Sequence, residues 1–307
     1  MCYRRAQAAF TLIELLVVVA IISALIGILV PSLSRARAQA RAAVCSADLR
    51  TLGQGLIMYA NEYGDRLLPG RMPKVDDENW HVAIAGGVKY RPTFLAMMGR
   101  QVGLPAFADP QPTKNDVDRE GEPGDRQNYA SEVYVCPEVA DWTDERNGAY
   151  GYNYQFLGNS RLRDPSDVHS FKNWPLNLSR VRSPAGCVAV GDSMGTAASF
   201  PKGARRDYGN NTRDVQRYGD EGFNLDPPTV DPVNGELAGD SHSPPVRSAA
   251  HDRHLGKAQI LWLDGHGTGQ TLGSLGYSVA GDGTVEMQGN NRLWTIDQQD
   301  RPWLSSD

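Results

Sequence analysis

The sequence has few cysteines, and none of them has the C-x-x-C spacing of a metal site. The four are Cys2, Cys45, Cys136 and Cys187. So few cysteines in 307 residues exclude a disulfide-rich scaffold. One disulfide in an oxidising envelope stays open, with Cys45 and Cys136 as the candidate pair, because a sequence does not show the distance between two thiols.

The chain also lacks an excess of basic residues. It has 31 Lys and Arg against 36 Asp and Glu, a net charge of −5, and no Lys/Arg-rich run. Nucleic acid is therefore not expected as a partner. The sequence has no internal repeat and no phosphate-binding loop of the P-loop type. Its length is sufficient for one large domain or two modest ones.

A long hydrophobic run stands out near the start of the chain. Residues 10–30 contain one charged side chain, Glu14. As a helix rising about 1.5 Å per residue, this segment can cross a hydrocarbon core of about 30 Å. Arginines lie on both sides of it, so the distribution of positive charge does not fix its orientation.

A removable secretory signal is the alternative for this segment, since Ala36-Arg37-Ala38 has the small-x-small pattern of a cleavage site. Three features argue against it. The apolar run exceeds the usual signal length of about 7–15 residues, the triplet lies beyond Pro31, and an acid interrupts the run. A membrane span is the preferred interpretation.

Glu14 needs a partner if the run lies in lipid. A charged group at the centre of a span costs about 2.5–3.5 kcal/mol on insertion scales, and less near an end. The apolar segment itself contains no cation. Cleavage between Ala9 and Phe10 would create an α-amino group at the membrane edge, and the Glu14 carboxylate of another copy could pair with it.

The stretch Phe10-Thr11-Leu12-Ile13-Glu14-Leu15-Leu16 resembles the class III signal of type IV prepilins and type II secretion pseudopilins. The resemblance implies that prepilin peptidase removes residues 1–9 and that Phe10 is N-methylated. It also implies that Glu14 sets the register between subunits. Ala9 stands where the family normally has glycine.

The same resemblance implies a structural subunit rather than an enzyme, in a type II secretion or type IV pilus-type assembly. Such a subunit crosses the inner membrane once, through residues 10–30, with its head in the periplasm or outside the cell. Its expected partners are prepilin peptidase, other pilin or pseudopilin subunits and inner-membrane lipid. It is incorporated into a pilus or pseudopilus.

The helix is predicted to continue past the span, through an amphipathic half over residues 31–64. An apolar stripe in this half repeats at three- and four-residue steps and predicts packing against a sheet; it consists of Leu49, Leu52, Leu56 and Tyr59. Gly64 is the expected stop signal. Pro31 predicts either a kink or the end of the membrane helix.

Residues 65–307 are predicted to form a globular head of α+β class, with an antiparallel sheet and long irregular loops. The candidate strands or short helices are residues 82–85, 93–98, 133–136, 150–156, 187–190, 258–263, 276–280 and 284–287. A hairpin turn is expected at Gly281-Asp282-Gly283. Residues 105–131 and 201–245 are predicted to be surface loops.

Histidines are concentrated near the C-terminus and suggest a metal site, with His251, His254, Asp264 and His266 as the candidate ligands. Residues 258–263, however, are predicted to be a strand that ends in a turn at Asp264-Gly265. An extended chain from His254 to Asp264 spans up to about 33 Å, too far for a shared metal. No metal is therefore predicted, and these polar side chains are interpreted as groups that hold strand ends.

The spacing of His254 and Asp264-Gly265 resembles the H-X9-DG element, over residues 254–265, of a large group of prepilin-type proteins. Companion segments in this sequence are Cys45, Val135-Cys136-Pro137, Tyr150-Gly151-Tyr152-Asn153 and Gly191-Asp192-Ser193. Some pseudopilins hold calcium in a C-terminal loop, so calcium is the alternative to an absence of cofactors. Asp192 is a candidate for a catalytic or calcium site. The other candidate acids lack EF-hand spacing and are interpreted as a solvated acidic loop; they are Asp214, Asp220, Glu221, Asp226 and Asp231.

A further alternative gives the head a sugar- or surface-binding role through exposed aromatic side chains. The candidates are Trp80, Trp142, Trp174 and Tyr152. Large aromatic residues of this kind are more often part of a core.

Overall fold

A long N-terminal helix leads into an α+β head, as the sequence predicts. The computed structural model describes residues 11–70, 81–112, 126–158, 160–162, 171–173, 175–209, 214–229 and 246–300. Helix α1 spans Leu12–Glu62, with Thr11 as its N-cap. It ends before Gly64, whose φ of 65° is the left-handed conformation expected of a helix stop. At about 1.5 Å per residue its length is about 76 Å.

Helix α1 has two unlike halves. Side chains of residues 11–30 are all exposed, whereas Leu49, Leu52 and Leu56 are fully buried, which confirms the predicted stripe. Pro31 lies inside the helix, so the alternative that α1 ends there is wrong. The Ser32 hydroxyl donates to the Leu29 carbonyl at 2.8 Å next to this proline.

The central sheet of the head has four antiparallel strands. The strands along the chain are β1 (His81–Ile84), β2 (Gly87–Tyr90), β3 (Tyr150–Tyr152), β4 (Ser160–Leu162), β5 (Phe171–Asn173), β6 (Val188–Asp192), β7 (Ala258–Trp262), β8 (Gly267–Gln270), β9 (Tyr277–Val279) and β10 (Val285–Gly289). The sheet order is β3-β6-β7-β8, and separate antiparallel pairs join β1 to β2, β4 to β5 and β9 to β10. Helix α2 spans Phe94–Gln101.

Short helical turns complete the described elements. They are the 3₁₀ turns Glu132–Tyr134, Leu178–Arg180, Pro184–Gly186, Gly195–Ser199 and Lys202–Ala204, and the π-helical turn Tyr154–Gly158. Each predicted segment overlaps a strand or a short helix, and the predicted turns at residues 264–265 and 281–283 each join two antiparallel strands. Strands β2, β4, β5 and β8 were not predicted from the sequence.

Strand β7 separates two hydrophobic cores, since successive side chains of a strand point to opposite faces. Leu261 packs into the core that α1 and α2 cover, whereas Ile260 and Trp262 pack into a second core with Trp294. Both faces are covered, so all five residues of β7 are buried.

Two glycines of α1 let the helix pack closely on the head. A Cβ added at Gly53 would lie 2.5 Å from Leu261 Cδ1, and one at Gly55 would overlap the Met98 carbonyl group of α2. Backbone cannot move aside as a flexible side chain can. Gly55 therefore sets the distance between α1 and α2.

Gly55→Ala is expected to destabilise the head by about 1–3 kcal/mol, the usual cost of overpacking. Denaturant unfolding of the full chain in detergent, followed by tryptophan fluorescence, measures this change. Gly27→Ala in the exposed half of α1 is the matched control, because a Cβ there meets nothing within 4 Å. Equal stability of the two variants would contradict the predicted close contact.

The prediction of surface loops is wrong for part of both segments. Asn224, Leu225 and Asp226 are buried, and Tyr152 pairs with Asn224 in a parallel bridge beside the sheet. In residues 105–131, Phe107 and Tyr129 are buried and their rings stack. The average polarity of a long segment conceals short apolar pieces such as Leu225 and Phe107, which are buried. The buried Asp226 carboxylate accepts from the Ser248 N–H at 2.8 Å.

Candidate functional site

The first turn of α1 forms a capping box around Glu14. The Thr11 backbone N–H and the Thr11 hydroxyl each donate to Glu14 Oε2 at 2.8 Å, while the Glu14 N–H donates to the Thr11 hydroxyl at 3.3 Å. This arrangement satisfies orphan donors at the helix start. Ala9 and Phe10, the predicted cleavage residues, lie outside the described residues.

The apolar half of α1 is uncovered in the described part of the chain. Its large side chains are 45–78% exposed between Leu12 and Val30. A continuous apolar surface of this kind on a soluble monomer marks a site for a membrane or another protein. Among the described residues, α1 is the one helix long and apolar enough to cross a membrane.

The candidate histidine ligands lie in different surroundings. Asp264 and His266 pair with each other at 2.5 Å on the exposed turn between β7 and β8. His251 is partly buried, and its ring stacks on Trp142 with centroids 6.0 Å apart. His254 is buried elsewhere, beside Cys136 and Asp192. The structure does not bring the predicted set together.

His254 belongs to a different group, which we name the Cys–His–Asp cluster. Its members are Cys45 on α1, Cys136 after the Glu132–Tyr134 turn, Asp192 at the end of β6, and His254 in the turn before β7. The four potential ligand atoms all lie within 4.8 Å of one another, and all four residues are buried. Among the described residues, this is the one group of three or more His, Cys, Asp or Glu side chains that converge in this way.

Distances within the cluster are short and involve all four side chains. His254 Nε2 lies 3.2 Å from Cys136 Sγ and 3.4 Å from Asp192 Oδ2. Cys45 Sγ lies 3.6 Å from Asp192 Oδ1. The thiols of Cys45 and Cys136 are free in this structure, so the candidate disulfide remains a prediction.

Arg253 is the positive neighbour of the cluster, and sequence reasoning missed it. Its guanidinium donates to Asp192 Oδ1 at 2.6 Å and to Cys136 Sγ at 3.3 Å. The Gln259 N–H donates to Asp192 Oδ2 at 2.6 Å, and the Tyr150 hydroxyl lies 3.3 Å from Cys45 Sγ. The cluster is thus held by protein groups from several directions.

Burial, hydrogen bonding and neighbouring charge shift the pKa values of the two thiols in opposite directions. Burial, with hydrogen bonding to Cys136, raises the pKa of Cys45 well above its ordinary value. Hydrogen bonding from Cys45 and the charge of Arg253 lower the pKa of the Cys136 thiol. Burial raises the pKa of Asp192 to about 6, against the opposing charge of Arg253.

The cluster is not arranged as a Cys-His-Asp catalytic triad. In a triad the acid holds the second ring nitrogen of the base. Here Asp192 and Cys136 both face Nε2, and the Nδ1 of His254 has no hydrogen-bond partner among the described residues. All three side chains are buried, so a substrate has no access to the Cys136 sulfur.

Gly191-Asp192-Ser193-Met194-Gly195 has the Gly-x-Ser-x-Gly spelling of a nucleophile elbow. Ser193 is buried, and its hydroxyl donates to the Asn224 carbonyl at 3.2 Å and accepts from the Gly195 N–H at 3.1 Å. No described histidine contacts this hydroxyl. The sequence motif therefore does not form a nucleophile elbow with an activated serine.

The candidate calcium acids are held by separate protein donors. Asp214 pairs with Arg206 at 2.8 Å, Asp220 accepts from the Thr196 hydroxyl at 2.9 Å, and the Ser248 N–H donates to Asp226 at 2.8 Å. Glu221 pairs with Arg146. Asp231 lies outside the described residues. Calcium stays an untested prediction.

The aromatic side chains proposed for surface binding are buried where the structure describes them. Trp142 is 5% exposed and Tyr152 is 0% exposed, so neither presents a ring to solvent. Trp80 and Trp174 lie outside the described residues.

The family model for the prokaryotic N-terminal methylation motif matches residues 4–30. This chain carries a prepilin-type N-terminus. No curated protein and no solved structure matches the chain. The matched segment is the exposed, apolar half of α1 together with the residues before it, and it does not include the H-X9-DG element.

A prepilin-type N-terminus accounts for the two features seen at the start of α1. It explains an apolar helix that the head leaves uncovered and an acid in its first turn. The motif fits a membrane-anchored, pilin-type protein that is processed by a peptidase and assembles with other pilin-type subunits. Proteins with this motif are usually structural rather than enzymatic.

Proposed function

We propose that this chain is a structural subunit of a type II secretion or type IV pilus-type assembly. Prepilin peptidase removes residues 1–9 and methylates Phe10. Residues 10–30 then anchor the chain in the inner membrane, with the head in the periplasm or outside the cell. The observation that carries this proposal is the uncovered apolar half of α1 within a methylation motif.

The packing of α1 supports a rod that projects from the head. The first buried residue of the helix is Cys45, and the helix contacts the sheet and α2 through residues beyond it. Arg41 adds an ion pair with Glu138 at 2.8 Å at the edge of this contact. The apolar half before it is free to lie in lipid or against neighbouring subunits.

One carboxylate oxygen of Glu14 accepts hydrogen bonds within the helix cap, and the other can accept one from a neighbouring subunit. Oε2 accepts both donors of Thr11, whereas Oε1 makes no hydrogen bond among the described residues. The methylated amine of Phe10 on a neighbouring subunit is a cation that can reach an exposed oxygen at this depth. Pairing neutralises two charges that lipid solvates poorly.

The alternative is a membrane-anchored envelope enzyme or metal- or ligand-binding protein that uses His251, His254, Asp264 and His266, and the geometry does not support it. Asp264 and His266 are exposed and bond each other, and His254 faces other residues.

Mass spectrometry of the mature N-terminus from the native host tests the proposed processing. We expect a chain that begins at N-methylated Phe10. Ala9→Gly should be cleaved at least as completely as the parent, since it restores the usual family residue, and a bulky Ala9→Leu should accumulate uncleaved. An N-terminus near Gln39 would instead identify a secretory signal and overturn the proposal.

A further inference from the structure

We propose that the Cys–His–Asp cluster binds a structural zinc ion that fastens α1 to the head. The proposal concerns the head alone and does not depend on how the N-terminus is processed.

The ligand atoms already have the spacing of a tetrahedral site. Zinc bonds of about 2.0–2.3 Å to sulfur, nitrogen and oxygen place neighbouring ligand atoms about 3.3–3.8 Å apart. Three of the distances between unlike ligand atoms are 3.2 Å for Cys136 Sγ to His254 Nε2, 3.4 Å for His254 Nε2 to Asp192 Oδ2, and 3.6 Å for Cys45 Sγ to Asp192 Oδ1. The ligand atoms of the four residues all lie within 4.8 Å of one another. A metal ion therefore fits between these side chains with small adjustments.

The ligand types favour zinc. Two thiolates, one imidazole and one carboxylate are all ordinary zinc ligands, and soft sulfur disfavours calcium and magnesium. Protein groups fill all four positions, and the four residues are buried. A closed, four-ligand site is structural, because a catalytic zinc keeps one position open for water or substrate.

The charges of the site balance with zinc present. The two positive charges of Zn²⁺ and the one of Arg253 neutralise two thiolates and the Asp192 carboxylate, while His254 binds as a neutral ring. Zinc binds cysteine as the thiolate, so protons held by the two thiols are released to solvent on binding. Arg253 then donates to Cys136 and Asp192, and the Gln259 N–H donates to Asp192, as outer groups that orient the ligands.

The site joins parts of the chain that are far apart in sequence. Cys45 and Asp192 are separated by 147 positions, and Cys136 and His254 by 118. Linking such distant positions removes much conformational freedom from the unfolded chain. Zinc here would hold the amphipathic half of α1 against the sheet, where the helix passes from the head to the exposed rod.

A disulfide between Cys45 and Cys136 is the competing use of the same residues. A disulfide would use two of the four side chains. It would not account for the position of His254 Nε2, which faces the Cys136 sulfur. The convergence of all four ligand types is what favours the metal.

Elemental analysis of the full chain, purified in detergent without chelators, tests the proposal. We expect stoichiometric zinc, and cobalt exchanged for it should give the visible absorption of tetrahedral, thiolate-bound Co²⁺. Cys136→Ser and His254→Gln should each bind zinc at least about a hundredfold more weakly. Cys187→Ser is the matched control, since Cys187 is equally buried but outside the cluster, and it should keep its zinc.

Two results would overturn the proposal. One is a metal-free parent whose unreduced mass is lower by two hydrogens and whose Cys45 and Cys136 peptides are joined, which would establish the disulfide. The other is a metal-free parent with free thiols that gains no cobalt spectrum. Both results are measured on the parent chain, so they test the proposal even if the ligand variants fail to fold.

Discussion

Glu14→Ala is expected to leave cleavage intact and to reduce self-association of the chain in the membrane by up to about a hundredfold. The loss follows because the amine of a neighbouring Phe10 would remain in lipid without a counter-charge. A charge at the centre of a span costs about 2.5–3.5 kcal/mol, which corresponds to this factor. Glu14 lies in the first turn of α1, where the cost is smaller, so a loss of about a hundredfold is the upper limit. Cross-linking between differently tagged copies in native membranes measures it.

Two matched variants separate charge from helix capping. Glu14→Gln keeps an oxygen that accepts from Thr11 but loses the charge, and should assemble as poorly as Glu14→Ala. Thr11→Val removes the hydroxyl that donates to Glu14 at 2.8 Å but keeps the charge, and should assemble nearly as well as the parent. The opposite pattern would show that Glu14 acts as a cap and would remove the basis for pairing between subunits.

Glu145→Ala is expected to destabilise the head by about 3–5 kcal/mol, the usual cost of breaking a buried ion pair by removing one of its members. The Lys89 ammonium lies 2.9 Å from Glu145 Oε1, and both side chains are 0% exposed. Lys89 also donates to the Tyr90 carbonyl at 3.1 Å. Denaturant unfolding of the full chain in detergent measures the change.

An exposed ion pair provides the control for this experiment. Arg206 and Asp214 are joined at 2.8 Å, with 59% and 24% of their side chains exposed. Asp214→Ala should cost about 1 kcal/mol or less, as is usual for pairs in contact with water. If Glu145→Ala were as mild as Asp214→Ala, the buried pair between Lys89 and Glu145 would not stabilise the head as proposed.

Local sequence signals predicted the features that depend on neighbouring residues. Apolar steps of three and four residues predicted the buried stripe of α1, and Gly64 marked its end, because helical periodicity and left-handed glycine are properties of a few adjacent residues. The turns at residues 264–265 and 281–283 were predicted for the same reason. Strand β8 was missed, since Gly267–Gln270 has neither apolar alternation nor β-branched content beyond Thr268.

The sequence by itself determined the membrane-compatible helix with its acid in the first turn, because composition and spacing over about twenty residues decide that chemistry. Only the tertiary structure decided what surrounds His254. Its sequence neighbours suggested a site with Asp264 and His266, but the strand between them carries those residues to an exposed turn. Cys136 and Asp192 take their place because the packing of α1, β6 and the turn before β7 brings distant positions together, and sequence spacing does not encode such contacts.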